Sequence, residues 1–108
     1  NNIVSPSIFF PNNKNSSHWL SYFEAKNLTK KDIYEMYAFA NDRGIHIRPF
    51  WVPMHKQPPY KKSISSSLKI SKKMYSKIIT LPSSTSLEVS DLKYITQVMN
   101  SHLEKFDG

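Results

Sequence analysis

The prolines at positions 49, 53, 58 and 59 constrain this chain more than any other feature. They fall in the run Gly44-Ile45-His46-Ile47-Arg48-Pro49-Phe50-Trp51-Val52-Pro53-Met54-His55-Lys56-Gln57-Pro58-Pro59-Tyr60. Gly44 can take φ > 0 and close a helix, the alternation after it reads as a short strand, and the prolines then lock the chain into an extended, low-entropy loop. Period-two alternation puts Ile45 and Ile47 on one face and His46 and Arg48 on the other. The loop is also rich in chemistry, with two imidazoles, aromatic rings and one of only two arginines in the sequence. A surface loop of that composition is suited to contact a ligand or partner.

With 108 residues the chain makes one domain, large enough to bury about two-thirds of its unfolded surface. It opens on Asn1-Asn2 rather than Met and shows neither a leader nor an apolar run long enough to span a bilayer, so it reads as a fragment of a longer soluble protein, expected in the cytoplasm. The absence of cysteine excludes disulfides and thiolate metal sites, and suits a reducing compartment. A net charge of +7 raises the question of nucleic acid. Thirteen of the fifteen basic residues are lysine, from Lys14 through Lys62 and onward, whereas the guanidinium forks that suit phosphates and bases occur only at Arg43 and Arg48. We expect a solvated lysine surface, with neither nucleic acid nor membrane as a partner.

In chain order, residues 1–15 read as a lead-in from a missing N-terminal domain, with Ile8-Phe9-Phe10-Pro11 running into a polar turn cluster. Ser16 to Ala25 is aromatic enough for a strand, with Trp19 expected in the core. Thr29 and Asp32 form a capping box, Leu28 and Ile33 a staple, and Ile33, Met36, Tyr37 and Ala40 the buried stripe of a helix that Gly44 ends. Lys61 to Ser67 is expected to be mobile and able to act as a lid. Leu68 to Tyr75 suggests a short helix, and Lys77 to Leu81 a strand ended by Pro82. The last helix is marked by Leu87 and Leu92 around a cap at Glu88, acids at Glu88 and Asp91, and a buried face of Leu92, Ile95, Val98, Met99, Leu103 and Phe106. His102 sits beside that stripe and reads as a satisfied packing residue. The sum is an α+β domain, residues 16–108, with helices packed on one face of a small sheet of about three strands.

The central run resembles the C-terminal part of the DegT/DnrJ/StrS-type sugar-nucleotide aminotransferases, pyridoxal-phosphate (PLP) enzymes of fold type I. The resemblance lies in Gly44-Ile45, Arg48-Pro49 and the Pro53-Met54-His55-Lys56-Gln57-Pro58-Pro59-Tyr60 loop, then in Leu81-Pro82-Ser83-Ser84 with Leu87 and the final helix. It extends from about Ser16 to Phe106. It implies the small domain of an enzyme that uses an amino acid, expected to be glutamate, to aminate a nucleotide-linked keto sugar for polysaccharide or lipopolysaccharide precursors. It also implies a homodimer, with PLP and its catalytic lysine in the larger N-terminal domain, so the fragment alone should not transaminate. No catalytic residue is assigned here, and Lys56 does not align with the catalytic lysine.

The residues suited to substrate are Arg48, His46, His55, Trp51 and Tyr60. Arg48 can fork onto a donor carboxylate or a nucleotide diphosphate, or serve as a structural ion pair. His46 shares its face, at a position where some relatives place a substrate-facing histidine. His55 and Tyr60 can hydrogen-bond the same anion or brace the loop, and Trp51 can stack on a ring or join the core. The four histidines lack metal spacing, the carboxylates do not cluster, no glycine-rich phosphate loop exists, and Ser83-Ser84 has no base nearby. The alternative to an enzyme fragment is a free-standing basic binding module without catalysis.

Overall fold

The computed structural model describes residues 2–107. Four short strands form one antiparallel sheet: β1 (Ile8–Phe9), β2 (Tyr22–Ala25), β3 (Arg48–Pro49) and β4 (Ile78–Thr80), in the order β1-β2-β4-β3. Helices α1 (Lys30–Asp42) and α3 (Val89–Asp107) are the long ones, and α2 (Lys69–Met74) is a short one after the proline loop. Among the described residues no helix is long and apolar enough to cross a membrane.

The first long helix forms for local reasons. Thr29 Oγ1 accepts the Asp32 amide at 3.2 Å and Asp32 Oδ2 accepts the Thr29 amide at 2.7 Å, closing the capping box. The hydrogen bonds from Thr29 hold the Asp32 carboxyl below its usual range. At the other end Gly44 has φ +77°, and Ile45 N–H reaches back to Ala40 O at 2.9 Å while Gly44 N–H bonds Asn41 O at 3.0 Å. That crossed pair is a Schellman motif, and its accompanying apolar contact is Ile45 over Ala40, both buried. The chain leaves the helix already aimed into the sheet.

One sheet face carries the core. Phe23, Ala25 and Ile79 from the strands and Ile45 and Ile47 from the run before β3 pack against Ile33, Met36 and Ala40 of α1 and Met99 and Leu103 of α3. Ile45 and Ile47 are each 2% exposed while His46 and Arg48 face solvent, as the alternation requires. The two helices are tied outside the core by Lys105 Nζ to Glu35 at 3.0 Å and by the Tyr94 hydroxyl donating to Arg43 O at 2.9 Å. β3 lies at the sheet edge, where the missing Pro49 N–H costs no ladder bond.

The α+β architecture with both long helices on one sheet face is as expected, and several details differ. The sheet has four strands, and the extra one, β1, comes from the residues read as a lead-in. Ile8 pairs with Ala25, and the Ser5 and Ser7 hydroxyls donate to Asp107 at 2.7 and 3.1 Å, clamping the segment to α3. A two-residue strand is too short to show alternation. β2 begins only at Tyr22, because His18 adopts φ +52° and breaks the extended path. Trp19 is accordingly 72% exposed rather than core. Leu92, expected on the buried face of α3, is 48% exposed, since only Met99, His102 and Leu103 of that helix are fully covered.

Candidate functional site

The sheet face opposite the core is where the notable side chains gather. Antiparallel partners share a face, so the pairings Arg48↔Thr80↔Tyr22 and Ile78↔Glu24 put Arg48, Thr80, Tyr22, Glu24 and Ile78 on that side. β3 is held in this register by the Thr80 hydroxyl donating to Arg48 O at 3.0 Å and by Phe50 N–H to Ile78 O at 3.2 Å. The Arg48 side chain is exposed, and among the described residues it forms no ion pair.

The proline loop folds as two consecutive 3-10 turns, Met54–Lys56 and Pro58–Tyr60. Gln57 closes it: its amide bonds Met54 O at 3.0 Å, its side chain donates to Val52 O at 2.9 Å, and its carbonyl accepts Tyr60 N–H at 2.9 Å. Lys56 Nζ then crosses to the Tyr75 hydroxyl at 2.8 Å, beyond the end of α2. That hydrogen bond, reinforced by the ammonium charge, lowers the Tyr75 phenol from its ordinary value.

Between loop, α2 and sheet lies a cleft of about 550 Å³, with Phe50, Trp51, Met54, His55, Met74 and Tyr75 prominent in its lining and Tyr22, Glu24 and Ile78 at its floor. Of the residues singled out by sequence, the structure brings Trp51 and His55 into this cleft. Arg48, His46 and Tyr60 lie outside its lining. Trp51 is 62% exposed, so it is not a core residue; its ring lies 6.0 Å from Trp19 and 5.5 Å from Phe50. His55 is half-buried and its Nε2 is covered without a hydrogen-bond partner, so Gln57 rather than His55 supplies the bonds that brace the loop. His46 is exposed.

Sequence reading missed Glu24, Met74 and Tyr75. The period of β2 signals Glu24, but α2 meets the loop only in three dimensions. A second groove of about 710 Å³ runs between the N-terminal segment and α3, with Phe10, Leu20, Leu81 and Leu92 in its walls. No cluster of residues able to hold a metal occurs among the described residues.

PLP requires a lysine for its aldehyde, cations or amides for its phosphate and an acid at its ring nitrogen. The cleft lining contains no lysine and no arginine, and Glu24 is its one acid. These residues do not fit the cofactor.

The architecture is a four-stranded antiparallel sheet with two long helices on one face and a loop-and-helix cleft on the other, and it has close counterparts among solved structures. An aminotransferase TlmJ from Streptoalloteichus hindustanus superposes with TM-score 0.78 at 17% identity, covering 96% of this chain and 28% of that one. A DegT DnrJ EryC1 StrS aminotransferase from Brucella abortus gives TM-score 0.70 at 23% identity, covering 94% and 26%. Helicobacter pylori PseC, an aminotransferase involved in the biosynthesis of pseudoaminic acid, gives TM-score 0.68 at 18% identity, covering 81% and 24%. No match was found among curated proteins. The model of the DegT/DnrJ/EryC1/StrS aminotransferase family matches residues 3–100, and the chain belongs to that family. It spans about a quarter of the length of the structures it resembles.

Proposed function

We propose that this chain is the small C-terminal domain of a PLP-dependent aminotransferase that transfers an amino group, from glutamate, to a keto sugar carried on a nucleotide. The observation that carries the reading is the family match over residues 3–100 together with superposition on a quarter of two aminotransferases and of PseC. PLP and its lysine then belong to the rest of the protein, consistent with a cleft that lacks the groups to hold it. The fragment by itself is inactive. The whole protein is a cytoplasmic homodimer in this reading, and the exposed rings of Trp19, Trp51 and Tyr34 are apolar surface for the large domain or the second subunit.

Arg48 is the leading substrate contact. It sits on an edge strand whose backbone is fixed by Thr80, its neighbours Ile45 and Ile47 are buried, and its guanidinium has no ion-pair partner among the described residues. A pinned backbone with a free fork suits a carboxylate or a diphosphate oxygen. His46, exposed on the same side of the run, and Trp51, His55 and Tyr60 of the loop complete the wall that meets the substrate. The test is steady-state kinetics of Arg48→Lys in the whole protein with each substrate varied in turn. Loss of the fork should cost about 1.5–3 kcal/mol in kcat/KM while folding stability stays put. An effect confined to glutamate places Arg48 at the donor carboxylate, and one confined to the sugar nucleotide places it at the phosphates. Unchanged kinetics with reduced thermal stability would make it a structural residue.

A further inference from the structure

Residues 51–67 lie between β3 and α2, and among the described residues one hydrogen bond joins them to the rest of the chain, from Lys56 Nζ to the Tyr75 hydroxyl at 2.8 Å. The other bonds of this segment are internal: Lys56 N–H to Pro53 O, Gln57 N–H to Met54 O, the Gln57 side chain to Val52 O, Tyr60 N–H to Gln57 O and Ser63 N–H to Tyr60 O. They fix the shape of the loop and not its place. Its entry is placed by Phe50 N–H on Ile78 O and by the Trp51 ring beside Trp19. Packing does not set the spacing between the first 3-10 turn and α2, because the cleft lies between them, lined by Met54 and His55 from the loop and by Ile70, Ser71 and Met74 from the helix. Walls that face a cleft lack the mutual contacts that hold side chains in a close-packed interior.

Tyr75 is a firm anchor for such a bond. Its N–H bonds Ser71 O at 3.1 Å as α2 ends, Lys77 N–H turns back to Met74 O at 2.9 Å, and Lys77 O accepts Ala25 N–H at 2.8 Å where β4 begins beside β2. The Lys56 ammonium also lies 4.6 Å from the Tyr75 ring centroid, so the ring attracts the charge that its hydroxyl already binds. Met54, His55 and Lys56 form one 3-10 turn, so fixing Lys56 fixes the backbone of the other two. We infer that Lys56 is a positioning residue, whose bond to Tyr75 latches the proline loop to α2 and sets where Met54 and His55 stand at the cleft. Both partners belong to this chain, and the contact needs no open surface. Its effect on substrate rests on the reading that this side of the sheet meets substrate, whereas the latch itself does not.

A single hydrogen bond of this kind shifts a loop between held and released states by about fivefold, enough to be read in substrate affinity. In the whole protein, Lys56→Met keeps the length without the donor, and Tyr75→Phe keeps the ring without the acceptor. Each should raise KM about fivefold for the substrate that meets this wall, with kcat largely kept, and the double variant should be no worse than either. Lys56→Arg, which retains a cationic donor, should restore KM. Hydrogen exchange followed by mass spectrometry should quicken over residues 51–60 in Lys56→Met and in Tyr75→Phe, while residues 30–42 of α1 stay protected. That readout is independent of the aminotransferase reading. Unchanged exchange in both variants, or additive losses in the double variant, would mean that no latch exists and would overturn the proposal while leaving the substrate wall in place. Quickened exchange with KM unchanged for both substrates would overturn it from the other side, because the loop would then meet neither.

Discussion

His102 is buried on α3 with its ring 4.4 Å from Phe39 and 5.5 Å from Phe106, and its Nε2 has no hydrogen-bond partner. Burial lowers its pKa below 6.5, the positive charges of Lys105 and Arg43 add to the effect, and Glu35 opposes it. The unfolded chain therefore takes up the proton first, so this group's contribution is complete above about pH 6.5 and declines as pH falls through that value. Thermal unfolding should show a midpoint that drops between pH 7 and pH 5, and His102→Phe, which keeps a ring without the titrating nitrogen, should flatten the drop. An unchanged pH profile in the variant would show that His102 binds its proton equally well in the folded and unfolded chain. Sequence placed this histidine against the apolar stripe but counted it as satisfied. Periodicity reports which side of a helix a residue faces, whereas a missing partner depends on what α1 brings opposite. Arg48 has the same limit: alternation predicts its exposed face, but its distance from the cleft lining depends on how the loop folds.

At the scale of elements, α1 was legible from end to end because its signals are local. Thr29→Ala removes the side-chain half of the capping box, leaving the residue-29 amide on the Asp32 carboxylate, and should cost about 1 kcal/mol in urea unfolding. Gly44→Ala should cost a similar amount, about 1 kcal/mol, and through the backbone alone, because a Cβ there would meet nothing within 4 Å while φ +77° disfavours any side chain. If Gly44→Asn, which tolerates that conformation, were as damaging as alanine, the left-handed cap would not be the reason for glycine. The strands were less legible. β1 and β3 have two residues each and β4 three, too few for alternation to stand out. They exist because residues distant in sequence pair across the sheet. Trp19 illustrates the same failure: aromatic composition suggested a strand interior, but the turn at His18 puts the ring at the surface beside Trp51.

For the whole molecule, one compact core between a sheet face and two helices carries most of the stability. Leu103 is fully buried where α3 meets that core, so Leu103→Ala should cost about 2–5 kcal/mol in denaturant unfolding. A loss under about 1 kcal/mol would mean that α3 is not needed to close the core. The other sheet face carries the proline loop and the cleft, whose lining holds no lysine or arginine to bind PLP. The proposed division of labour, with recognition here and chemistry in the rest of the protein, is tested most directly by purifying the whole protein with PLP, reducing it with borohydride to fix the cofactor on its lysine, and mapping the labelled peptide. The labelled lysine should lie outside these 108 residues. A label on Lys56, or on any other lysine of this chain, would contradict the account.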